Sequence, residues 1–478
     1  MAKGFSISGP QAVAVQPEWL KARLTEKRLF TDANGYRLET IEIRNVWESS
    51  KRTTILYDMI FSNGGEKRRQ LYVGSLVPTG KLAKEQVAFE KHVTQRPKWG
   101  PAVTTLPEIN LVLASFPSDR KMALLREEDV VRWLERHTNI LPWKVADASA
   151  GTRLRCELDV LKYVPAKRFT TLCRVHHQNE HGNWQTFLLV AKQLNEPHKA
   201  RQLCNSLKQL NRELVRVYER LQHEAPDLEP IPFIIPKAYG VLDSRSTAFI
   251  EFVPGENLKR LLPQLEIGSV FQRVGGLLAV FHRIEKRVRK HITFRNEVAE
   301  VRLALDTVID ALPELEKRLM HYYHEFRKFV FQDDAPKVLL HGSFRLNHIF
   351  LADDRLALLD LDSIRMGHPA YDLANFLSSL YYLEAQEKIT ADERMAITEA
   401  FLLGYARAAA HDLSPTSVLW FLSSLLINKQ AFKYVTHQHG DRGYKVLRML
   451  GLAERCLQLA FAPPIKVHQL TDLMSILP

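Results

Sequence analysis

No stretch of this chain approaches the roughly 18 consecutive apolar residues that a membrane-spanning helix needs. Met1-Ala2-Lys3-Gly4-Phe5 also lacks the apolar segment of a secretory signal. A cytoplasmic protein without a membrane partner is therefore expected. Cysteine is scarce as well. Cys156, Cys173, Cys204 and Cys456 are scattered with no C-x-x-C pair among them, which points away from a zinc knuckle and a disulfide framework and leaves them as small buried hydrophobes. Acidic side chains are in deficit: 54 Asp and Glu face 66 Lys and Arg, a formal net charge of +12. A field of that sign favours anionic partners. The basic residues nevertheless come in short dispersed groups, such as Lys67-Arg68-Arg69 and Lys286-Arg287-Val288-Arg289-Lys290, with no interleaved aromatics, so nucleic acid is not the expected ligand.

With 478 residues, 46% of them hydrophobic, the chain exceeds what one core usually serves, and two or three packed units are expected. A helical stretch near Trp19–Leu24 and a strand-like run around Leu38–Val46 come first. Thr53–Phe61 is rich in β-branched and aromatic residues, Asn63-Gly64-Gly65 is a turn signal, and Gln70–Val77 forms the return strand of a hairpin. A similar unit follows 116 residues later. Lys167-Arg168-Phe169-Thr170-Thr171-Leu172 repeats the Lys-x-x-Thr-x-Leu spacing of Lys51-Arg52-Thr53-Thr54-Ile55-Leu56. Its return strand, Thr186–Leu194, carries Val190-Ala191-Lys192 where the first copy has Val73-Gly74-Ser75. This is the pattern of an internal duplication in which only the later copy keeps a lysine. His176, His177 and His181 at the second hairpin tip have irregular spacing and read as a plain loop rather than a metal cluster.

Between the copies lie Phe116-Pro117-Ser118-Asp119 and a helical pattern over Glu127–His137. A longer helix is expected over His198–Leu221, opened by Asn195-Glu196-Pro197. After the strand-like Ser246–Val253 and Pro254-Gly255, periodicity is almost wholly helical beyond residue 265, broken by apolar runs at Lys337–Leu340 and Arg355–Leu361. Val418–Ile427 reads as a core helix, too short to span a membrane.

The densest cluster of chemistry-bearing residues is Val338-Leu339-Leu340-His341-Gly342-Ser343-Phe344-Arg345-Leu346-Asn347-His348, then Leu358-Leu359-Asp360-Leu361-Asp362, then Gly367-His368-Pro369-Ala370-Tyr371-Asp372-Leu373-Ala374. In this run the sequence resembles the aminoglycoside phosphotransferase and choline kinase-like family, whose fold is that of the protein kinases. Val190-Ala191-Lys192, Phe249–Gly255 and Leu277-Leu278-Ala279-Val280-Phe281-His282 resemble further family motifs in the family's order. The resemblance covers about residues 155 to 380, and the earlier hairpin with Phe116–Asp119 resembles the N-terminal extension of some bacterial members.

The resemblance implies an α+β, bilobal protein kinase-like fold. It would comprise an N-terminal extension with a strand hairpin (1–150), a strand-rich N-lobe (151–253) and a mainly helical C-lobe (254–478), with nucleotide between the lobes. It implies ATP and Mg²⁺ as cofactors, and transfer of a phosphoryl group to a hydroxyl of a small molecule. Such transfer asks a protein mainly for positioning and charge neutralisation. Lys192 would hold phosphates, while Glu251, Phe252 and Val253 would offer hinge backbone to the adenine. Asp360 would hold the metal, with Asp362 a second carboxylate if the two share a strand face. Ser343, Asn347 or His348 would lie around the acceptor, and His341 would fix the catalytic loop. Asp372 would brace the helix entry and the His341 loop. The glutamate pairing with Lys192 would be Glu213 or Glu219.

Three departures stand out. The family's catalytic Asp is Ser343 here, which is no base near neutral pH. The family's metal-binding Asn falls on His348 when read without a gap, with Asn347 one residue early, and imidazole suits Mg²⁺ poorly. No glycine-rich loop precedes Lys192, because Val164-Pro165-Ala166-Lys167-Arg168 stands in its place. Two functions therefore stand almost level: an active phosphotransferase, and a pseudokinase that binds nucleotide or a partner protein without transfer. The acceptor is not identified. His437-Gln438-His439 and the basic residues after 385 lean towards an anionic one.

Overall fold

The computed structural model describes residues 9–28, 30, 35–49, 52–93, 97, 99–141, 154–178, 183–224, 232–328, 336–436, 442–461 and 469–477. His181 and His437-Gln438-His439 lie outside them. The chain forms two compact units, Met1–Cys204 with Ala238–Phe252, and Asn205–Lys237 with Val253–Pro478. It passes from one to the other for the last time between Phe252 and Val253.

The first unit opens with helix α1 (Pro17–Glu26) and the strands β1 (Arg37–Ser49), β2 (Arg52–Asn63) and β3 (Glu66–Leu76). Gly64 and Gly65 close the β2–β3 hairpin with φ of 54° and 92°, the double left-handed geometry that a two-residue turn needs in order to follow the strand twist. Helix α2 (Leu82–Glu90) leads to β4 (Val103–Leu106) and β5 (Leu111–Ser115), and the sheet order is β1-β2-β3-β5-β4. After α3 (Glu127–Glu135) the arrangement is made again. Strands β6 (Leu154–Val164), β7 (Arg168–Gln178) and β8 (Trp184–Leu194) form a meander, and helix α4 (Pro197–Glu224) follows. The chain then contributes β9 (Phe233–Ile234) to the second unit and returns for β10 (Ala238–Leu242) and β11 (Thr247–Glu251). The second sheet runs β6-β7-β8-β11-β10. Each sheet is thus a three-strand meander, a helix, and a hairpin whose later strand pairs with the third strand of the meander. The duplication read from a few residues extends to the whole topology.

Register places the two copies in correspondence. Thr54 pairs with Ser75, which pairs with Val112, while Thr170 pairs with Lys192, which pairs with Ala248. One core joins both sheets: Leu56, Val73 and Val112 from the first, Val130, Trp133 and Leu134 from α3, and Phe169, Leu189, Ala191 and Phe249 from the second. Large apolar side chains contribute about 1.5–3 kcal/mol each when fully buried, so this shared cluster ties the first 141 residues to the second sheet. Cys156, Cys173, Cys204 and Cys456 are all buried thiols outside any disulfide.

The second unit is mainly helical, and its short strands serve the loops. It contains β12 (Glu256–Asn257), α5 (Leu258–Leu261), α6 (Ile267–His282), α7 (Phe294–Ala311) and α8 (Glu316–Lys328). There follow β13 (Val338–Leu340), β14 (Ile349–Ala352), β15 (Arg355–Leu358) and β16 (Arg365–Gly367), then α9 (Ala370–Glu384), α10 (Ala391–Ala408), α11 (Pro415–Leu425), α12 (Phe432–Thr436) and α13 (Arg442–Phe461). Helices α6 and α10 meet backbone to backbone, since a Cβ on Gly275 would lie 2.0 Å from the Phe401 carbonyl oxygen, and one on Gly404 1.9 Å from that of Gln272. The chain is α+β, with antiparallel sheets first and helices later, as expected. Among the described residues no helix is long and apolar enough to cross a membrane.

Candidate active site

The loop from His341 to His348 enters from β13, which pairs with β16 through Val338–Gly367 and Leu340–Arg365. Its anchor is Asp372 in the first turn of α9. One carboxylate oxygen, Oδ2, accepts from the His341 N–H at 2.7 Å, and Oδ1 accepts from the Gly342 N–H at 2.9 Å. Asp372 is fully buried. Two charge-assisted hydrogen bonds are worth about 1.5–3 kcal/mol each, which fixes the loop against α9. His282 Nε2 lies 3.4 Å from Asp372 Oδ2, and its Nδ1 lies 2.9 Å from the Tyr405 hydroxyl, so α6 and α10 hold the same carboxylate in place. Gly342 takes φ of 76°, and a Cβ there would lie 2.5 Å from the Ser363 carbonyl oxygen. Only glycine fits both demands.

The His341 ring is fully buried, and both its nitrogens are committed. Nε2 lies 2.9 Å from the Leu359 carbonyl oxygen, and Nδ1 accepts from the Ser343 N–H at 3.3 Å. Burial lowers its pKa despite the opposing field of Asp372. His341 is therefore a neutral strut between the loop and the segment carrying Asp360. Ser343 is half-buried, with its carbonyl oxygen 2.9 Å from His348 Nδ1. That contact makes Nδ1 the protonated nitrogen and leaves a lone pair on Nε2. His348 Nε2 in turn lies 3.3 Å from Arg345 Nη2 and 3.4 Å from Asp360 Oδ2. Burial first, and then the Arg345 charge, push the His348 pKa down to about 3.

The structure brings His348, not Asn347, against Asp360. Asn347 is exposed on the 3-10 turn Leu346–His348. The premise that Asp360 and Asp362 share a strand face is corrected: β15 ends at Leu358, Asp360 takes a left-handed conformation with φ of 60°, and Asp362 lies in the 3-10 turn Leu361–Ser363. Among the described residues no group of three His, Cys, Asp or Glu side chains is arranged to hold a metal ion. His176 Nδ1 sits 3.0 Å from the Thr186 hydroxyl, an ordinary hairpin contact.

In the first unit, Lys192 is buried on the central strand β8. Glu251 and Phe252 end that unit and Val253 begins the next. Glu213 pairs with Arg216 at 2.8 Å, and Glu219 is exposed. The turn that stands where a glycine-rich loop would be is tied from outside. Asp119, fully buried, accepts at Oδ2 from the Ala166 N–H and the Tyr163 hydroxyl, both at 2.7 Å, and at Oδ1 from the Lys121 and Met122 N–H groups at 2.7 and 3.0 Å. A carboxylate thus holds a backbone amide of this turn.

Residues 212–411 match the model of the Phosphotransferase enzyme family. That segment contains every motif from Phe249 to Ala374, and it starts after Lys192. No curated protein matches the chain. Among solved structures, a choline/ethanolamine kinase family protein from Mesorhizobium loti is 12% identical, with 71% of this chain and 98% of that one covered and a TM-score of 0.41. Choline kinase from Cryptosporidium parvum is also 12% identical, with 73% and 99% covered and a TM-score of 0.42. Macrolide 2'-phosphotransferase from Brachybacterium faecium is 16% identical, with 71% and 98% covered and a TM-score of 0.36.

Sequence reasoning missed Arg345, whose Nη2 lies 3.3 Å from His348 Nε2, and Lys429 and Lys433 beyond α11, which lie over the Tyr371 and Tyr382 rings of α9. The signal was present in the sequence. Lys429 and Lys433 continue the helical pattern directly after the apolar run Val418–Ile427, and an ionisable residue so placed is partly buried unless the helix turns it out.

Proposed function

We propose that this chain is a nucleotide-dependent phosphotransferase acting on a hydroxyl of a small molecule, with ATP and Mg²⁺ as its cofactors. The observation that carries the reading is the Asp372 clamp on His341 and Gly342, with His341 braced on Leu359 and His348 set beside Asp360. A catalytic-type loop is built in full although its carboxylate is replaced. In this reading Lys192 neutralises nucleotide phosphates, the backbone of Glu251–Val253 meets the adenine, and Asp360 is the oxygen ligand of the metal. Mg²⁺ needs only one or two carboxylates when phosphates and water complete its shell, so Asp360 suffices and Asp362 is at most an outer partner. His348 is a positioning residue, because its Nε2 lone pair accepts from the Arg345 guanidinium. The division into extension, N-lobe and C-lobe at residues 150 and 253 belongs to the same proposal.

In the transfer, the bond from the γ-phosphorus to the ADP oxygen breaks and one to the acceptor oxygen forms. The hydroxyl proton leaves to water or to the transferred phosphate, since Ser343 cannot take it. A loose transition state asks for little early proton removal.

A second reading, a pseudokinase that binds nucleotide or a protein without transfer, is favoured by one observation: a serine, Ser343, stands where the loop would need a carboxylate base, and an imidazole, His348, lies 3.4 Å from Asp360. The decisive measurement is calorimetric titration of ATP, with and without Mg²⁺, on the protein and on Asp360→Asn. Binding that tightens with Mg²⁺ and loses that dependence in the variant is expected. No nucleotide binding under either condition overturns the phosphotransferase reading.

A further inference from the structure

The basic run Lys286-Arg287-Val288-Arg289-Lys290 has no part in the site described above. It begins shortly after α6 ends at His282, and Lys286 and Arg287 line a cavity of about 560 Å³ whose lining lies wholly within the second unit. One wall is α4, whose Arg220 and Glu224 stand one turn apart on a single face. Another is the β13–β16 ladder, and a third is the end of α6 with the turn Arg283–Arg287. Ser343, His348 and Asp360 are outside the lining. The volume falls within the range of pockets for small organic ligands, about 300–1,000 Å³.

Five cations line this space: Arg220, Arg283, Lys286, Arg287 and Lys337. Its carboxylates are Glu224 and Glu285. Glu285 pairs with Arg220, which leaves Glu224, exposed at the end of α4, against the other four cations. Direct contacts join the walls, since Arg220 Nη2 donates to the Arg283 carbonyl oxygen at 3.4 Å and Lys286 Nζ donates to Gln209 Oε1 of α4 at 2.5 Å. The partners of the inner cations are neutral. Arg283 donates from Nε and Nη2 to the Ala408 carbonyl oxygen, both at 3.2 Å. Lys286 is only 8% exposed and has Gln209 as its partner. Burial lowers its pKa against the pull of Glu213, and that carboxylate is itself paired with Arg216 at 2.8 Å. Behind the wall, His282 is held between Tyr405 and Asp372, whose carboxylate is committed to the catalytic-type loop. A buried ammonium with no carboxylate against it is costly, and an anion entering the cavity offsets that cost.

We propose that this cavity is a binding site for a phosphorylated small molecule, separate from the candidate active site. A phosphate monoester carries close to two negative charges near neutral pH. Arginine offers it a planar fork of donors, and lysine a point charge. The carbon body of the ligand meets Val217, Leu221, Ile284 and Val338 of the same lining, so an organic phosphate fits better than a bare ion. The site does not rest on the phosphotransferase reading, and a chain without transferase activity keeps it.

The test is calorimetric titration of the full chain with fructose 1,6-bisphosphate, with fructose as the uncharged control. It is run at about 0.15 M salt, where exposed charges more than about 8 Å apart are screened. The same titration is made on Lys286→Met, on the double variant Arg287→Gln with Lys337→Gln, on Lys317→Gln as an exposed control on α8, and on Lys192→Met in the first unit. Thermal unfolding shows which variants are folded, and the double variant, confined to exposed side chains, decides the matter if Lys286→Met is not. Binding of the bisphosphate is expected to weaken tenfold or more in Lys286→Met and at least threefold in the double variant. It is expected to be unchanged in Lys317→Gln and Lys192→Met, with fructose not binding. No binding of the bisphosphate, equal binding of fructose, or binding that the folded cavity variants leave intact overturns the site. Binding lost in Lys192→Met assigns the phosphates to the first unit and overturns it equally.

Discussion

A serine hydroxyl at position 343 can donate or accept a hydrogen bond, but it cannot hold a proton taken from an acceptor alcohol at neutral pH. General-base assistance is worth about 10²–10⁴-fold, so Ser343→Asp separates the two functional readings. A phosphotransferase that is merely slow is expected to gain turnover by up to that factor in a coupled ADP-release assay, and an unchanged blank rate favours the pseudokinase. Lys433 makes a second claim at this scale. Its pKa falls from the ordinary 10.5 to about 7 on folding, so between pH 7 and 10.5 the unfolded chain binds more protons and stability rises with pH. Lys433→Met removes that linkage. Without added anions, the variant is expected to be more stable than its parent at pH 6.5, with the advantage shrinking by pH 9.5 in denaturant titrations. An advantage independent of pH would mean that Lys433 is not a buried cation.

At the scale of elements, the loop after β13 depends on a turn that only glycine can make. Gly342→Ala forces a Cβ to within 2.5 Å of the Ser363 oxygen at a left-handed φ. It is expected to cost about 1–3 kcal/mol and to abolish Mg²⁺-dependent nucleotide binding; a variant with parental melting and binding would refute the strut. Asp119→Ala is expected to destabilise the first unit by about 2–4 kcal/mol, because it strands buried N–H groups on both sides of the tie. Native-state proteolysis of the Val164–Arg168 turn reads this directly. Most strands and helices around these sites were legible, since Thr53–Phe61 or His198–Leu221 show their periodicity within one turn or one pleat. The site was legible as far as motifs run: His341, Gly342, Asp360 and Asp372 lie within 32 residues of each other. Asp362 misled because an apolar run does not reveal where its strand stops, and β15 stops at Leu358. The seating of Lys429 and Lys433 over the Tyr371 and Tyr382 rings was not legible, because the rings and the lysines are some fifty residues apart and meet only through the packing of the helices.

For the whole molecule, the repeated sheet raises the question of how many nucleotides one chain holds. Both sheets have the order meander, then hairpin, and both place one residue at the crossing of the third strand with its two neighbours. In the second sheet that residue is Lys192. In the first it is Ser75, whose hydroxyl donates to Glu85 Oε1 at 2.8 Å, while the same carboxylate pairs with Arg52 at 2.5 Å and Arg120 at 3.1 Å. The position that holds a lysine in one copy is thus occupied in the other by a neutral side chain inside an internal ion pair, which offers no cation to a phosphate. The first sheet acts instead as a support, through the core it shares with the second and through Asp119 on the Val164–Arg168 turn. One nucleotide per chain is therefore expected. Equilibrium dialysis with ATP and Mg²⁺ should saturate at one equivalent, fall towards zero in Lys192→Met, and stay at one in Ser75→Ala. Saturation at two equivalents, or a Lys192→Met variant that still binds one, would mean that the first sheet has kept a site of its own.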